Sequence, residues 1–373
     1  MISRLWLGLS LTVALGTATI LVSCSAPAAA PAPTTPPKQE AASAPAAPQP
    51  VATKPAEAAK PTEAPKPTDA PKKVDFPQKG KVITLIVPNP AGGASDLAAR
   101  LLAPLLEKEL GIPVQVVDKA GAASQVGMTE LAQSKPDGYT IGLTNLPGTI
   151  TTYLDPERKA AFSRKDIQPV ALHHVDPAAV AVRTESPYKT LKDLVDGAKA
   201  NPTGIKASTD GLMGEDHLTT LQFGKLAGVE FTPVHFDGGA PANVALLGGH
   251  TDVRFGKVST FIAPAKAGQV RVLAVMDKEP SKYYPDVKTA EALGYKLYMY
   301  STRGVTAPGG TPKEIVDVLT GAIKKVMDTD EHKKKMDELG LTQRFQTAQE
   351  FYDNWTGIEE MVRPLLDMAK QQQ

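Results

Sequence analysis

The segment from Val82 to Asn145 constrains this chain most. An apolar run, VITLIV (82–87), breaks into a Pro/Gly turn, PNPAGGASD (88–96). Apolar residues at helical spacing follow, Leu97, Leu101, Leu105 and Leu106, ending at Gly111. A second strand, VQVVD (114–118), leads through the small-residue turn AGAASQVG (120–127) to a helix through Leu131. PDGYTIGLTN (136–145) then places a turn before a third strand. This β-α-β-α-β alternation predicts an α/β fold with a parallel sheet wound by helices. Such sheets bind ligands beyond the carboxyl ends of their strands. The 88–96 turn and Asn145 both fall there.

The pattern resumes downstream. Helices are expected over 190–202 and 215–228, the second stopped by Gly228, with strands over 205–211 and 231–238. PANVALLGGHTDVRFG reads as helix, turn and strand, and VRVLAVMD (270–277) as a further strand. Two or three helices between about Thr311 and Lys370 can pack back on the first unit.

The N-terminal part has a different character. Arg4 precedes an uncharged stretch of apolar or small residues, Leu5 to Val22, which reads as an export signal. Its end, LVSC (21–24), resembles the lipobox of bacterial lipoproteins, in which the cysteine is lipid-modified and becomes the new N-terminus. Cys24 is the only cysteine, so a disulfide framework and a Cys-based zinc site are excluded. Residues 25–75 are Ala, Pro, Thr, Lys and Glu with almost nothing bulky and apolar, the composition of a disordered tether. Fully stretched it would reach on the order of 150 Å. With 41 basic and 40 acidic residues the net charge is +1, and no basic field argues for nucleic acid.

Signatures of catalysis are weak. Gly92 and Gly93 are adjacent with no third glycine, so the dinucleotide pattern G-x-G-x-x-G is not met, and no P-loop is present. GASD lacks the second glycine of a nucleophile elbow, because Leu97 stands there. His173 and His174 are adjacent on a strand and should point to opposite faces, which ill suits one metal ion. His217 follows Glu215 and Asp216 without an H-E-x-x-H pattern, and His332 reads as a solvated helix residue. Asp210 and Asp237 could share acid–base work only if the fold joined them. No catalytic residue, metal ligand or cofactor is assigned.

Over residues 76–370 the chain resembles the extracytoplasmic solute receptors of the tripartite tricarboxylate transporter family. The resemblance rests on ITLIVPNPAGGASDLAARLLAPLLEKELGIPVQVVDKAGAASQVG, KPDGYTIGLT, SPYKTLKDLVDGAKANP, KLAGVEFTPVHFDGGAPANVALLGGHTDVRF, GQVRVLAV, YPDVKTAEALGY and APGGTPKEIVDVL, in that order. It implies a two-domain type II periplasmic-binding-protein fold, each domain a mostly parallel sheet flanked by helices, with ligand in the interdomain cleft. The implied domains are 76–175 plus 300–373, and 176–299, after a signal (1–24) and tether (25–75). It also implies a monomeric, membrane-anchored receptor outside the cytoplasm. The receptor would take a small organic acid or amino-acid-like ligand and hand it to permease subunits. A hydrolase or metal enzyme on the same architecture, or a sensor for a membrane signalling partner, are the alternatives.

Carried onto this chain, the first binding loop is Pro90, Ala91, Gly92, Gly93 and Ala94, with Ser95 and Asp96 opening the helix. Adjacent N–H groups and a helix N-terminus suit a carboxylate, while Asp96 also reads as a helix cap. Asn145, after Thr144, maps to the loop following the third strand. Ser208 and Thr209 map to the second domain. The departures are acidic: Asp210 follows Thr209, and Asp237 stands in Phe236-Asp237-Gly238 where Tyr-Lys-Gly is usual. Asp252 is kept, and Arg254 replaces an apolar residue. If Asp210 and Asp237 face the cleft they repel a second bare carboxylate. The ligand would then carry a cationic group, or Arg254 would supply the balance.

Overall fold

The computed structural model of the protein describes residues 74–371. The export segment, Cys24 and the tether up to residue 73 lie outside them. In chain order the elements are β1 (Ile83–Val87), α1 (Ala94–Leu110), β2 (Val114–Asp118), α2 (Gln125–Gln133), β3 (Thr140–Leu146), α3 (Gly148–Leu154) and β4 (Ile167–Arg183). Next come α4 (Leu191–Ala200), β5 (Lys206–Thr209), α5 (Glu215–Ala227), β6 (Thr232–His235), α6 (Gly239–Leu247), β7 (Val253–Lys257), α7 (Val258–Lys266) and β8 (Val270–Val275). The last are β9 (Tyr300–Pro308), α8 (Lys313–Asp328), α9 (Asp330–Glu338), β10 (Thr342–Gln346) and α10 (Ala348–Gln371).

The strands join in the order β2-β1-β3-β9-β4-β7-β5-β6, with β10 and β8 also paired to β4. Each half keeps a parallel core of the kind the sequence predicts: β1 pairs parallel with β2 and β3, and β5 with β6 and β7. The centre is antiparallel, because β4 and β9 run against their neighbours. The result is a mixed sheet rather than a wholly wound parallel one.

β4 is the spine. Its 17 residues, IQPVALHHVDPAAVAVR, are buried over nearly their whole length, as expected of a strand covered on both faces. Up to Pro177 it pairs with β9; from Ala178 it pairs with β7. The change of partner falls at a proline, which has no N–H to give a ladder. The chain returns beside this point, where Ala178 N donates to Met299 O at 2.8 Å and Met276 N donates to Ala178 O at 2.7 Å. Two crossings thus lie side by side between the halves.

Strand alternation divides the core. In β1, Leu85 and Val87 face a cluster with α1 and α8, while Ile86 faces a cluster with α2 and α10. In β4, Val180 and Val182 pack toward α4 and α5, and Ala179 and Ala181 toward α6 and α7. Helix α10 lies across the join, its Val362, Leu365 and Leu366 sharing a cluster with Leu218 and Leu221 of α5. A Cβ at Gly304 of β9 would sit 2.2 Å from the Phe351 ring, so glycine alone lets α10 pack this close.

Candidate functional site

The first turn is built to hold a helix start. Gly92 adopts φ +79°, a conformation L side chains rarely take. Its N–H donates to Asp96 Oδ2 at 2.7 Å, and Asp96 Oδ1 meets Arg100 Nε at 2.6 Å. The N-cap is Gly93; Asp96, inside the first turn, ties the loop to the helix with both oxygens engaged. Pro90, Ala91 and Gly93 are exposed and Ala94 is half-buried, while Ser95 is buried with its Oγ accepting from Arg303 Nε at 3.0 Å.

Arg303 did not figure among the sequence-level candidates. It lies on β9 opposite Asn145 of β3 and His174 of β4. Only 6% of it is exposed, and its Nη1 makes no hydrogen bond among the described residues. The one charged residue in the otherwise uncharged strand YSTRGVTAP was the available signal. Beside it Asn145 Oδ1 accepts from Ser301 Oγ at 2.9 Å. Thr144 turns the other way and bonds Thr306 at 2.6 Å inside the core.

The second half brings a charged cluster to the same junction. Asp210 Oδ1 accepts from Asp216 N at 3.1 Å and so caps α5. Lys257, at the carboxyl end of β7, reaches Asp210 Oδ2 at 3.0 Å, Asp216 Oδ1 at 3.1 Å and Glu215 Oε2 at 3.6 Å. Burial alone would lower the Lys257 pKa, but the three carboxylates outweigh it and hold the ammonium charged. Glu215, the first residue of α5, is 5% exposed, and among the described residues neither oxygen has a hydrogen bond. Burial, helped by Asp210 and Asp216 and opposed by Lys257 and Arg303, pushes its carboxyl up to about 8. Glu215, Asp216 and Lys257 were also missed as a group. Asp176 of β4 completes the junction, accepting from Ser259 N at 3.2 Å and from its hydroxyl. Burial raises its pKa against the pull of Arg303.

The remaining predicted residues divide. Ser208 and Thr209 are fully buried at the end of β5, Thr209 Oγ1 bonding His235 Nδ1 at 2.7 Å. Asp237 is exposed in the loop after β6. Asp252 is not brought to the junction: it precedes β7, at the opposite end of the strands, and accepts from Lys206 N at 2.8 Å. Arg254 is not available either. It is completely buried, with Nε and Nη2 on Asp216 Oδ2 at 3.0 and 2.8 Å and Nη1 on Gly239 O and Asn243 Oδ1. The acid Arg254 balances is Asp216; Lys257 balances Asp210.

The histidines also differ from expectation. A bulge between Leu172 and His174 turns the two neighbouring rings together, Nδ1 to Nδ1 at 2.8 Å. His332 is buried, not solvated, and its Nε2 meets His173 Nε2 at 2.8 Å. Its Nδ1 meets Gln343 Oε1 at 2.8 Å, and Gln343 Nε2 donates to Met327 O. Burial pushes His173 down to about 3 and holds His174 well below an ordinary imidazole. These rings are neutral core groups. Among the described residues no set of His, Cys, Asp and Glu side chains suits a metal ion, and no helix is long and apolar enough to cross a membrane.

Arg158 Nη2 spans the junction to Leu212 O at 3.2 Å. Surface concavities lie away from it. One of about 670 Å³ is lined by Gln168, Thr320 and Tyr352 among others and shares no residue with the junction. Chemically, one side offers a guanidinium beside a helix N-terminus and the other a carboxyl. The Ser95 hydroxyl pairs with an arginine and not with a base, which gives no nucleophile.

Residues 98–356 match the model of the tripartite tricarboxylate transporter family receptor. The chain belongs to that family. The family is one of periplasmic solute-binding receptors and not of enzymes. BugT of Bordetella pertussis is 29% identical over 249 residues, covering 66% of this chain and 76% of BugT. A UPF0065 protein of Cupriavidus necator is 29% identical over 274 residues, 72% of this chain and 81% of that one. Among solved structures, a Rhodopseudomonas palustris protein with adipate superposes with a TM-score of 0.69 at 25% identity, over 79% of this chain and 99% of its own. MatC of the same organism, with bound malate, superposes at 0.64 and 25% identity, over 77% and 100%.

Proposed function

We propose that this receptor is lipid-anchored through Cys24 and captures a small carboxylate between two hinged domains, 76–175 plus 300–373 and 176–299, for delivery to a membrane permease. The observation that carries the reading is Arg303. Its guanidinium is buried, fixed at Nε by Ser95 and unengaged at Nη1, beside the start of α1 and at the carboxyl end of β3. A buried cation in that setting calls for an anionic partner. Adipate and malate in two structural relatives support a carboxylate. The side-by-side crossings at Ala178 and Met299 support a hinge, since few residues there would absorb the rotation. The 88–94 loop, Ser208 and Thr209 then line the closing surfaces.

Thermal unfolding of the full chain in detergent, against a panel of mono- and dicarboxylates, tests the reading. A ligand at a hundred times its Kd adds about 2.7 kcal/mol, which for a body of this size raises Tm by about 5 °C. A panel in which no carboxylate raises Tm contradicts it. Cys24→Ala should move the protein from the membrane to the soluble fraction.

A further inference from the structure

Most charges at the junction are answered. Lys257 serves Asp210 and Asp216, Arg254 serves Asp216, and Arg100 serves Asp96. Two charged groups are left over. Among the described residues Arg303 Nη1 has no hydrogen-bond partner, though buried Asp176 lies within its electrostatic reach, and neither oxygen of Glu215 has one. Both residues are more than nine-tenths buried, at 6% and 5% exposure, and they come from opposite halves of the protein. They lie within electrostatic reach of each other yet make no ion pair. Lys257 Nζ, at 3.6 Å from Glu215, is beyond hydrogen-bond distance and already shared by two other carboxylates.

Leaving a buried polar group unmatched is costly, and structures rarely keep one without a use. Here an unmatched donor and an unmatched carboxyl face one junction from two sides. A carboxylate answers Arg303, whereas only a protonated nitrogen brings the positive charge that lets Glu215 ionise and gives its oxygens a donor. A ligand bearing a carboxylate and a protonated nitrogen answers both.

We propose that Arg303 and Glu215 are the two poles of one ligand subsite, and that the ligand is a zwitterion whose carboxylate meets Arg303 and whose ammonium meets Glu215. This rests on the reading of the protein as a carboxylate receptor and narrows its ligand class. The charged neighbours of Glu215 are Lys257, Asp210 and Asp216 from its own half and Arg303 from the other. With its carboxyl held up to about 8, Glu215 keeps its proton at neutral pH until an ammonium arrives. Capture then sends that proton to solvent and leaves a carboxylate–ammonium pair.

The test is calorimetric titration of the full chain at pH 7 with matched pairs: glutarate against glutamate, butyrate against γ-aminobutyrate, propionate against β-alanine. Each pair is measured in two buffers of different ionisation heat, which gives the protons released. The aminated member of at least one pair should bind about 10- to 100-fold tighter and release close to one proton. Glu215→Gln should erase that preference and the proton release. Circular dichroism of the variant checks that it folds. Amine-free members that bind as tightly as their partners, or a preference that survives Glu215→Gln, overturn the proposal and leave the receptor reading standing. Silence from both members of every pair overturns the receptor reading and this inference together.

Discussion

Glu215 should impose a pH dependence on folding that runs opposite to the usual carboxylate. An unfolded glutamate titrates at its ordinary value of 4.5, whereas the folded one is pushed up to about 8 by burial. The folded state therefore holds a proton that the unfolded state has lost. Stability from this group is fully present below pH 4.5 and is lost as pH rises through 8. Each unit in that window removes about 1.36 kcal/mol, so between pH 5 and pH 9 the group costs roughly 4 kcal/mol in total. Glu215→Gln, of nearly the same shape, removes the titration. The assay is urea unfolding of ligand-free wild type and variant at pH 5, 6, 7, 8 and 9, and the quantity of interest is the difference in stability at each pH. Subtraction cancels the titrating groups not coupled to Glu215, including the buried histidines. The difference should swing by roughly 4 kcal/mol in favour of the variant on going from pH 5 to 9. A difference that stays constant within about 0.5 kcal/mol, the ordinary scatter of such comparisons, would refute the claim that Glu215 is a dry, unmatched carboxyl.

Two further outcomes follow from the buried groups. His173 is held at about 3 by burial, below the 6.5 of a free imidazole, so its stability contribution is complete above pH 6.5 and is lost as pH falls toward 3. In the Glu215→Gln background, which removes the opposing carboxyl, stability should drop by about 2 kcal/mol for this ring between pH 7 and pH 5, and further for His174; a flat profile contradicts it. Arg254→Met strands part of the charge of Asp216 and should cost about 3–5 kcal/mol, whereas Arg254→Met with Asp216→Leu should recover much of that loss, both read by urea unfolding.

Local features were legible because they depend on a few neighbouring residues. The strand of 83–87, the helix stopped at Gly111 with φ +70° and the one stopped at Gly228 with φ +65° follow from apolar spacing and glycine caps. So does the placing of Asn145 and the 88–96 turn at strand ends. What was not legible depends on register across long separations. Arg303 meets Ser95 from 208 residues away, and nothing near either residue announces the other. Asp210 and Asp252 look alike as loop acids, but parallel β5 and β7 send them to opposite ends of their strands. The contact of His173 with His174 required a bulge that strict alternation does not anticipate. Nor was the charge balance across the junction legible: topology commits Arg254 to Asp216 and brings Lys257 to Asp210.

The central claim is that Arg303 holds a carboxylate at the junction of the two halves. It is tested most directly by calorimetric titration of wild type and Arg303→Gln with the panel member that most raises Tm. A buried charge-assisted contact contributes about 1.5–3 kcal/mol, so the variant should bind about 10- to 100-fold more weakly while unfolding cooperatively on its own. Undiminished affinity in a folded Arg303→Gln protein would contradict it.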